Sequence, residues 1–262
     1  MPKNNVHLPD SALTLPKTHG FQDDFINMSV LAPTGVSADG AWTLTADSGS
    51  SSTVTQDEAG GEIQIGNADN TNHDGALLHT TAKIFKFAAG KALTMICRAK
   101  YTEASTNAAN LFIGLSDTVS VGTDGLLRDD GAGPATTFDG VGFYKVDSTT
   151  NTDWNVVTSN AAVQTKTQTD VAAVGATGYH TFRIDVRPTS STLADVIFSV
   201  DTSGGNDFAQ CRENGANPRT PNIKHSLSLS GLEEMHVVMG RKNGATAIEV
   251  LTVDYVSCYQ TR

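Results

Sequence analysis

The chain lacks a basic cluster, a paired-cysteine spacing and a long apolar run, and each absence removes a class of function. No run of Lys and Arg exceeds two residues, the formal net charge is −10 and the pI lies near 5.0. This argues against nucleic-acid binding through a positive patch. Cys97, Cys211 and Cys258 form no CxxC, so buried free thiols, in a chain maturing in a reducing cytosol, are expected. No 18-residue apolar stretch occurs, and the opening "MPKNNVHLPDSALTLPKTHG" has no apolar h-region. Neither a membrane span nor a standard secretory signal is therefore expected. Aromatics are only 6% and charged residues only 18%. The remainder, rich in Thr, Ser, Asn, Ala and Gly, suits a β-rich, turn-rich protein.

The 262 residues suffice for one large all-β domain. Residues 1–20 contain Pro2, Pro9 and Pro16 and no sustained periodicity, which reads as an extended arm ahead of a domain over 21–262. From Phe21 onward, short runs of period two alternate with Gly, Asn, Asp and Ser. In "KALTMICRAKY", Leu93, Met95, Cys97, Ala99 and Tyr101 share one face, with Ile96 the exception on the other. In "GYHTFRIDVRP", Phe182, Ile184 and Val186 point inward and Thr181, Arg183, Asp185 and Arg187 outward. About a dozen such runs predict a two-sheet sandwich or a barrel. Ser230 and Glu233 in "SGLEEMHVVMG" match a helix capping box, but the alternation of Met235, Val237 and Met239 predicts a strand after a short turn. Two long segments, 116–140 and 201–226, carry no pattern of their own and are expected to be functional or braced by partners.

Catalytic signatures are missing. No Glu is followed two residues later by an acid, as a one-strand carboxylate pair would require, although carboxylates from separate strands could still converge. "GVSAD" and "GLSDT" lack the last glycine of a nucleophile elbow. His73 and His79, the nearest histidine pair, have no HExxH motif or cysteine ligands beside them, and "GAGPAT" lacks phosphate-loop spacing. A non-enzymatic protein without a cofactor is expected.

The stretch "NADNTNHDGA" (67–76) opens like an EF-hand, with Asn70, Asn72 and Asp74 at alternate positions before Gly75, but Thr81 stands where the bidentate Glu belongs. A turn is the simpler reading. No metal is expected: solvated acids on a surface of net charge −10 are the simpler reading, with Asn72 and Asp74, or Asp124, Asp129 and Asp130 with Asp139, the calcium candidates through their hard oxygens. Trp42, Tyr144 and Trp154 lie in partly apolar runs and are the candidate sugar-stacking rings.

"GFQDDFI" (20–26) resembles the opening strand of concanavalin A-like lectin/glucanase domains, and "IEVLTVDYVSCY" (248–259) is similar to their closing strand. The intervening order of "MICRAKYTEASTNAANLFIGLSD", "GVGFYKVDSTTNTDW" and "GYHTFRIDVR" resembles the version found in virion proteins of tailed bacteriophages. The resemblance implies a jelly-roll of two antiparallel sheets with adjacent first and last strands. It also implies a virion structural protein, foremost a capsid decoration or cement protein assembled in the host cytoplasm. In that role Val6, Leu8, Leu13 and Leu15 of the arm would anchor on the major capsid protein and on neighbouring copies in a homo-oligomer such as a trimer. The alternative is a glycan-binding module of a fibre or adhesin, without nucleic-acid or membrane partners.

Overall fold

The computed structural model describes residues 18–26, 35–37, 40–47, 52–57, 60–66, 71–173, 178–205, 207–215 and 222–262. The arm anchors Val6, Leu8, Leu13 and Leu15 lie outside the described residues. In chain order the strands are β1 (Thr18–Asp23), β2 (Trp42–Ala46), β3 (Ser52–Asp57), β4 (Gly60–Ile65), β5 (Gly75–Thr80), β6 (Leu93–Glu103), β7 (Ala109–Ser116) and β8 (Gly140–Lys145). They continue with β9 (Asp153–Asn160), β10 (Val163–Ala172), β11 (His180–Pro188), β12 (Leu193–Asp201), β13 (Ala209–Gln210), β14 (Lys224–Ser228), β15 (His236–Asn243) and β16 (Glu249–Thr261). β1 begins at Thr18, ahead of the boundary drawn at Phe21.

The strands form two antiparallel sheets, a jelly-roll sandwich. A nine-stranded sheet runs β13-β12-β11-β6-β16-β4-β3, with β1 added to β16 and β14 to β12; a seven-stranded sheet runs β10-β9-β8-β7-β15-β5-β2. The first and last strands pair from Thr18↔Thr261 to Asp23↔Val256, as the resemblance implies. β16 is long enough to hold β1 along one half and β4 along the other, and a bulge at Asp254 separates its two registers with β6.

β6 shows why these residues make half-buried strands. Leu93, Met95, Cys97, Ala99 and Tyr101 enter the core while Thr94, Ile96, Arg98 and Lys100 stay at intermediate exposure. β11 departs from the expected alternation: Thr181 and Asp185 are buried although they face away from the core. Asp185 is covered there by Arg183 at 3.0 Å, Arg187 at 3.6 Å and the Thr94 hydroxyl at 2.7 Å. The capping-box stretch leads into strand β15, as the alternation predicts. All three cysteines are free and buried.

Between the sheets lies one core that includes Trp42, Phe143, Trp154, Phe182 and Phe198. A second apolar cluster occupies the opposite face of the seven-stranded sheet. There Leu126, Leu127, Ala135 and Phe138 of segment 116–140 pack on Phe112, Tyr144, Val157 and Val238. The sheet makes room for them with glycine: a Cβ at Gly142 would lie 2.6 Å from the Phe112 ring. Lys242, almost wholly buried, ties the segment down by donating to the Gly122 carbonyl at 2.9 Å and the Leu127 carbonyl at 3.2 Å, and by pairing with Asp129. Segment 116–140 is thus braced by its own chain.

Candidate functional site

The two sheets end side by side at β10 and β13, and the chain after β13 bridges them. Cys211 N–H donates to the Phe198 carbonyl of β12 at 2.9 Å; then Asp170 N–H of β10 donates to the Arg212 carbonyl at 2.8 Å and Asn214 N–H to the Gln168 carbonyl at 3.0 Å. Residues 211–214 therefore leave one sheet and pair with the edge of the other. Isolated bridges Thr169↔Glu213 and Arg212↔Asn222 complete the stitch.

A cleft of about 770 Å³ remains beside this stitch, of the size that holds a small organic ligand. Val171, Ala172, Val200, Ala209 and the Cys211 thiol supply its apolar surface. Asp170, His180, Thr202, Gln210, Arg212 and Asn222 supply its polar surface. Gln210 is oriented by its own bonds, donating to the Ile223 carbonyl at 3.0 Å and accepting from Asn222 Nδ2 at 3.1 Å. One Asp170 oxygen accepts the Arg212 backbone N–H at 3.0 Å. Burial pulls the His180 pKa down against the opposing pull of Asp201, so the imidazole is neutral at pH 7. Burial pushes the Cys211 thiol up to about 12, which removes it as a nucleophile. The cleft can exchange hydrogen bonds in both directions over an apolar floor, and its described residues include no activated nucleophile.

A second polar constellation sits at the same end of the sandwich. Glu103 and Glu249 are register partners across β6 and β16, and Lys145 Nζ lies 2.7 Å from Glu103 Oε1. Glu103 also accepts from Asn107 N–H and Ala109 N–H, each at 3.2 Å, and Glu249 accepts from Ser105 N–H at 3.3 Å. Burial raises the Glu249 pKa to about 7, opposed by the Ser105 bond. Here carboxylates converge from separate strands, the arrangement a search along single strands misses. Lys145 and Glu249 are sealed from water and the Glu103 side chain is nearly so, so the group holds the 104–108 turn and offers no surface to a polymer.

The sequence-derived candidates fall elsewhere. Trp42, Tyr144 and Trp154 are buried, which corrects their reading as sugar platforms: a ring spent on packing presents no face to a ligand. The Trp42 indole N–H donates to Asp23 at 2.6 Å, Trp154 packs edge-on against Phe182 at 4.7 Å, and Tyr144 belongs to the second cluster. Of the calcium candidates, Asp129 is taken by Lys242 and Asp130 by His73 at 2.9 Å, while Asn72 and Asp124 are exposed. Asp139 is spent on backbone, accepting from Ala161 N–H and Glu233 N–H, each at 2.7 Å. Thr71–Asp74 is a hydrogen-bonded turn, with Asp74 N–H 3.3 Å from the Thr71 carbonyl and the Asp74 carbonyl accepting from Arg241 at 2.8 Å. Asn70 lies outside the described residues. His73 and His79 do not meet; His79 instead packs edge-on against His236 at 4.9 Å. The cleft residues themselves, in segment 201–226 and at the end of β10, carry no motif; the length of that segment was the only signal.

No protein-family model matches the sequence, and no curated protein does. Solved structures match in fold. Lectin II from Ulex europaeus aligns with a TM-score of 0.56 at 13% identity, over 93% of this chain and 99% of the lectin. An endo-1,3-beta-glucanase from Streptomyces sioyaensis aligns with a TM-score of 0.53 at 14% identity, over 94% and 97%. A protein of unknown function from Shewanella oneidensis MR-1 aligns with a TM-score of 0.54 at 12% identity, over 99% and 97%. These likenesses carry the jelly-roll half of the resemblance and not its phage half: the chain shares the jelly-roll fold of these structures.

Proposed function

We propose that the protein is a glycan-binding module whose ligand lies in the cleft between β10 and β13. The observation that carries this reading is the combination, in one cleft of about 770 Å³, of an apolar floor with side chains that keep unspent hydrogen-bonding capacity. The Asp170 carboxylate and the Asn222 amide oxygen accept, and the Thr202 hydroxyl does both. A sugar ring has this character, with a C–H face and hydroxyls that each donate and accept. A fold shared with lectins supports the reading by analogy. Binding is favoured over hydrolysis because, of the converging carboxylates, Glu249 is buried and the Glu103 side chain nearly so, and neither lines the cleft.

A glycan array followed by titration calorimetry tests the proposal. A saturable ligand whose binding is lost in Asn222→Ala with melting unchanged, and weakened in Asp170→Asn, which keeps an oxygen for the Arg212 N–H, is the expected result; a blank array would refute it. A place on a phage capsid would rest on residues 1–17 rather than on the cleft. For that role, a chain starting at Thr18 should lose particle binding while keeping its melting temperature, and equal binding by the shortened chain would count against the arm.

A further inference from the structure

We propose that the cleft selects acidic sugars, glycans bearing a uronic-acid carboxylate, and that Arg212 is the residue that reads the acid; this rests on the glycan-binding reading above. Arg212 stands at the cleft wall, on the chain that crosses from β13 to β10. Its backbone is fixed on both sides: the N–H donates to Asp170 Oδ1 at 3.0 Å, the carbonyl accepts from Asp170 N–H at 2.8 Å, and the residue bridges to Asn222. The guanidinium, by contrast, has no hydrogen-bond or ion-pair partner among the described residues. Arg98, Arg183, Arg187, Lys100, Lys145, Lys224 and Lys242 are each paired with a carboxylate; of the described cations without an ion pair, such as Arg128 and Lys166, Arg212 is the one that lines the cleft. On a chain of net charge −10, a cation left unspent at a cleft wall is a local exception to the prevailing field.

The neighbouring groups narrow the ligand. A guanidinium matches a carboxylate in bidentate geometry. Asp170, whose Oδ1 is already used, and the Asn222 amide oxygen demand donors from the ligand. Inorganic phosphate and sulfate offer oxygens and would meet the Asp170 carboxylate unfavourably. A sugar acid offers both parts, hydroxyls for Asp170 and Asn222 and a carboxylate for Arg212, while its C–H face rests on Val171 and Ala209.

Calorimetric titration with matched pairs of oligosaccharides, oligogalacturonate against its galactose counterpart and oligoglucuronate against its glucose counterpart, separates the two levels of the claim. At least one acidic member should bind about tenfold or more tightly than its neutral partner, the scale of one charged hydrogen-bonded contact. That preference should shrink with added salt, disappear in Arg212→Gln and survive in part in Arg212→Lys. Equal binding of acidic and neutral partners, or an acid preference unchanged in Arg212→Gln, overturns the role of Arg212 and leaves the glycan reading standing. Competition by inorganic sulfate as effective as by the uronate overturns the sugar-acid assignment. No binding by any member while the array finds another sugar overturns selectivity alone; a blank array removes both. The guanidinium holds nothing in the fold, so Arg212→Gln should melt with the parent protein.

Discussion

Segments 116–140 and 201–226 look alike in sequence, long and irregular, yet the fold treats them in opposite ways. The first lies on the outer face of the seven-stranded sheet and is sealed there by Leu126, Leu127 and Phe138 and by the buried Lys242. The second crosses from β13 to β10, meets the other sheet chiefly through backbone bonds, and leaves a cleft whose wall includes the exposed Thr202, Arg212 and Asn222. The difference is apolar anchors. A segment that brings several large hydrophobic side chains to a sheet face becomes core, whereas 201–226, whose described contributions to the core are Cys211 and Ile223, crosses between the sheets largely by main-chain bonds and keeps its polar side chains for solvent or ligand.

The sharpest way to break that contrast is Lys242→Ala. It strands the Asp129 carboxylate and two carbonyls in a buried site, and the loss of stability should be about 3–5 kcal/mol. Urea unfolding measures it, and limited proteolysis should then cut within 116–140; a loss below about 1 kcal/mol would mean that the segment holds without its lysine.

The Glu249 cluster sharpens the comparison at intermediate size. Its folded pKa of about 7 lies above the ordinary value of 4.5, so the folded protein binds the extra proton between those values and stability falls as pH rises through them. Relative to Glu249→Gln, the parent should lose about 3 kcal/mol between pH 4.5 and pH 7.5. His225, whose pKa burial lowers to about 4 from 6.5, acts in the other sense: the unfolded chain takes up its proton first, so stability rises with pH from 4 to 6.5. The two oppose each other in the parent, and the variant should unmask the rising limb. Denaturant melts across this pH range check it; parallel curves for the two proteins would place the Glu249 proton elsewhere.

The smallest expected change is at the cleft. Asn222→Ala alters an exposed side chain and should shift stability by no more than about 0.5 kcal/mol while ligand binding is lost. A large fall in stability there would show that the cleft residues serve folding as the 116–140 anchors do.

Most strands were legible because period-two burial is written in the residues themselves, as in β6 and β12. β10 was not, although Val163, Thr165, Thr167, Thr169 and Val171 recur at alternate positions. As an edge strand it buries little, and β-branched residues rather than apolar ones mark it. β14, with His225 and Leu227 inward, is too short to stand out. The candidate site was the less legible part. Trp42 and Trp154 stood beside polar residues in sequence, but that polarity belongs to the other face of their strands. Arg212, Asp170 and His180 come from three elements that only the pairing of β11 with β12 and the crossing after β13 bring together.

Alternation and turn residues, which act over a few neighbours and repeat along the chain, were enough to give the class of the fold, and the cysteine spacing gave the buried thiols; the pairing of the first and last strands was implied by the resemblance of their two segments to concanavalin A-like domains. Packing at a distance settled which long segment became core and which borders a cleft, that Lys145 and Lys242 were buried, and that Arg212 stands at the cleft wall without an ion pair. Those outcomes depend on residues distant in sequence competing for the same space and the same charges, and no local pattern records who wins.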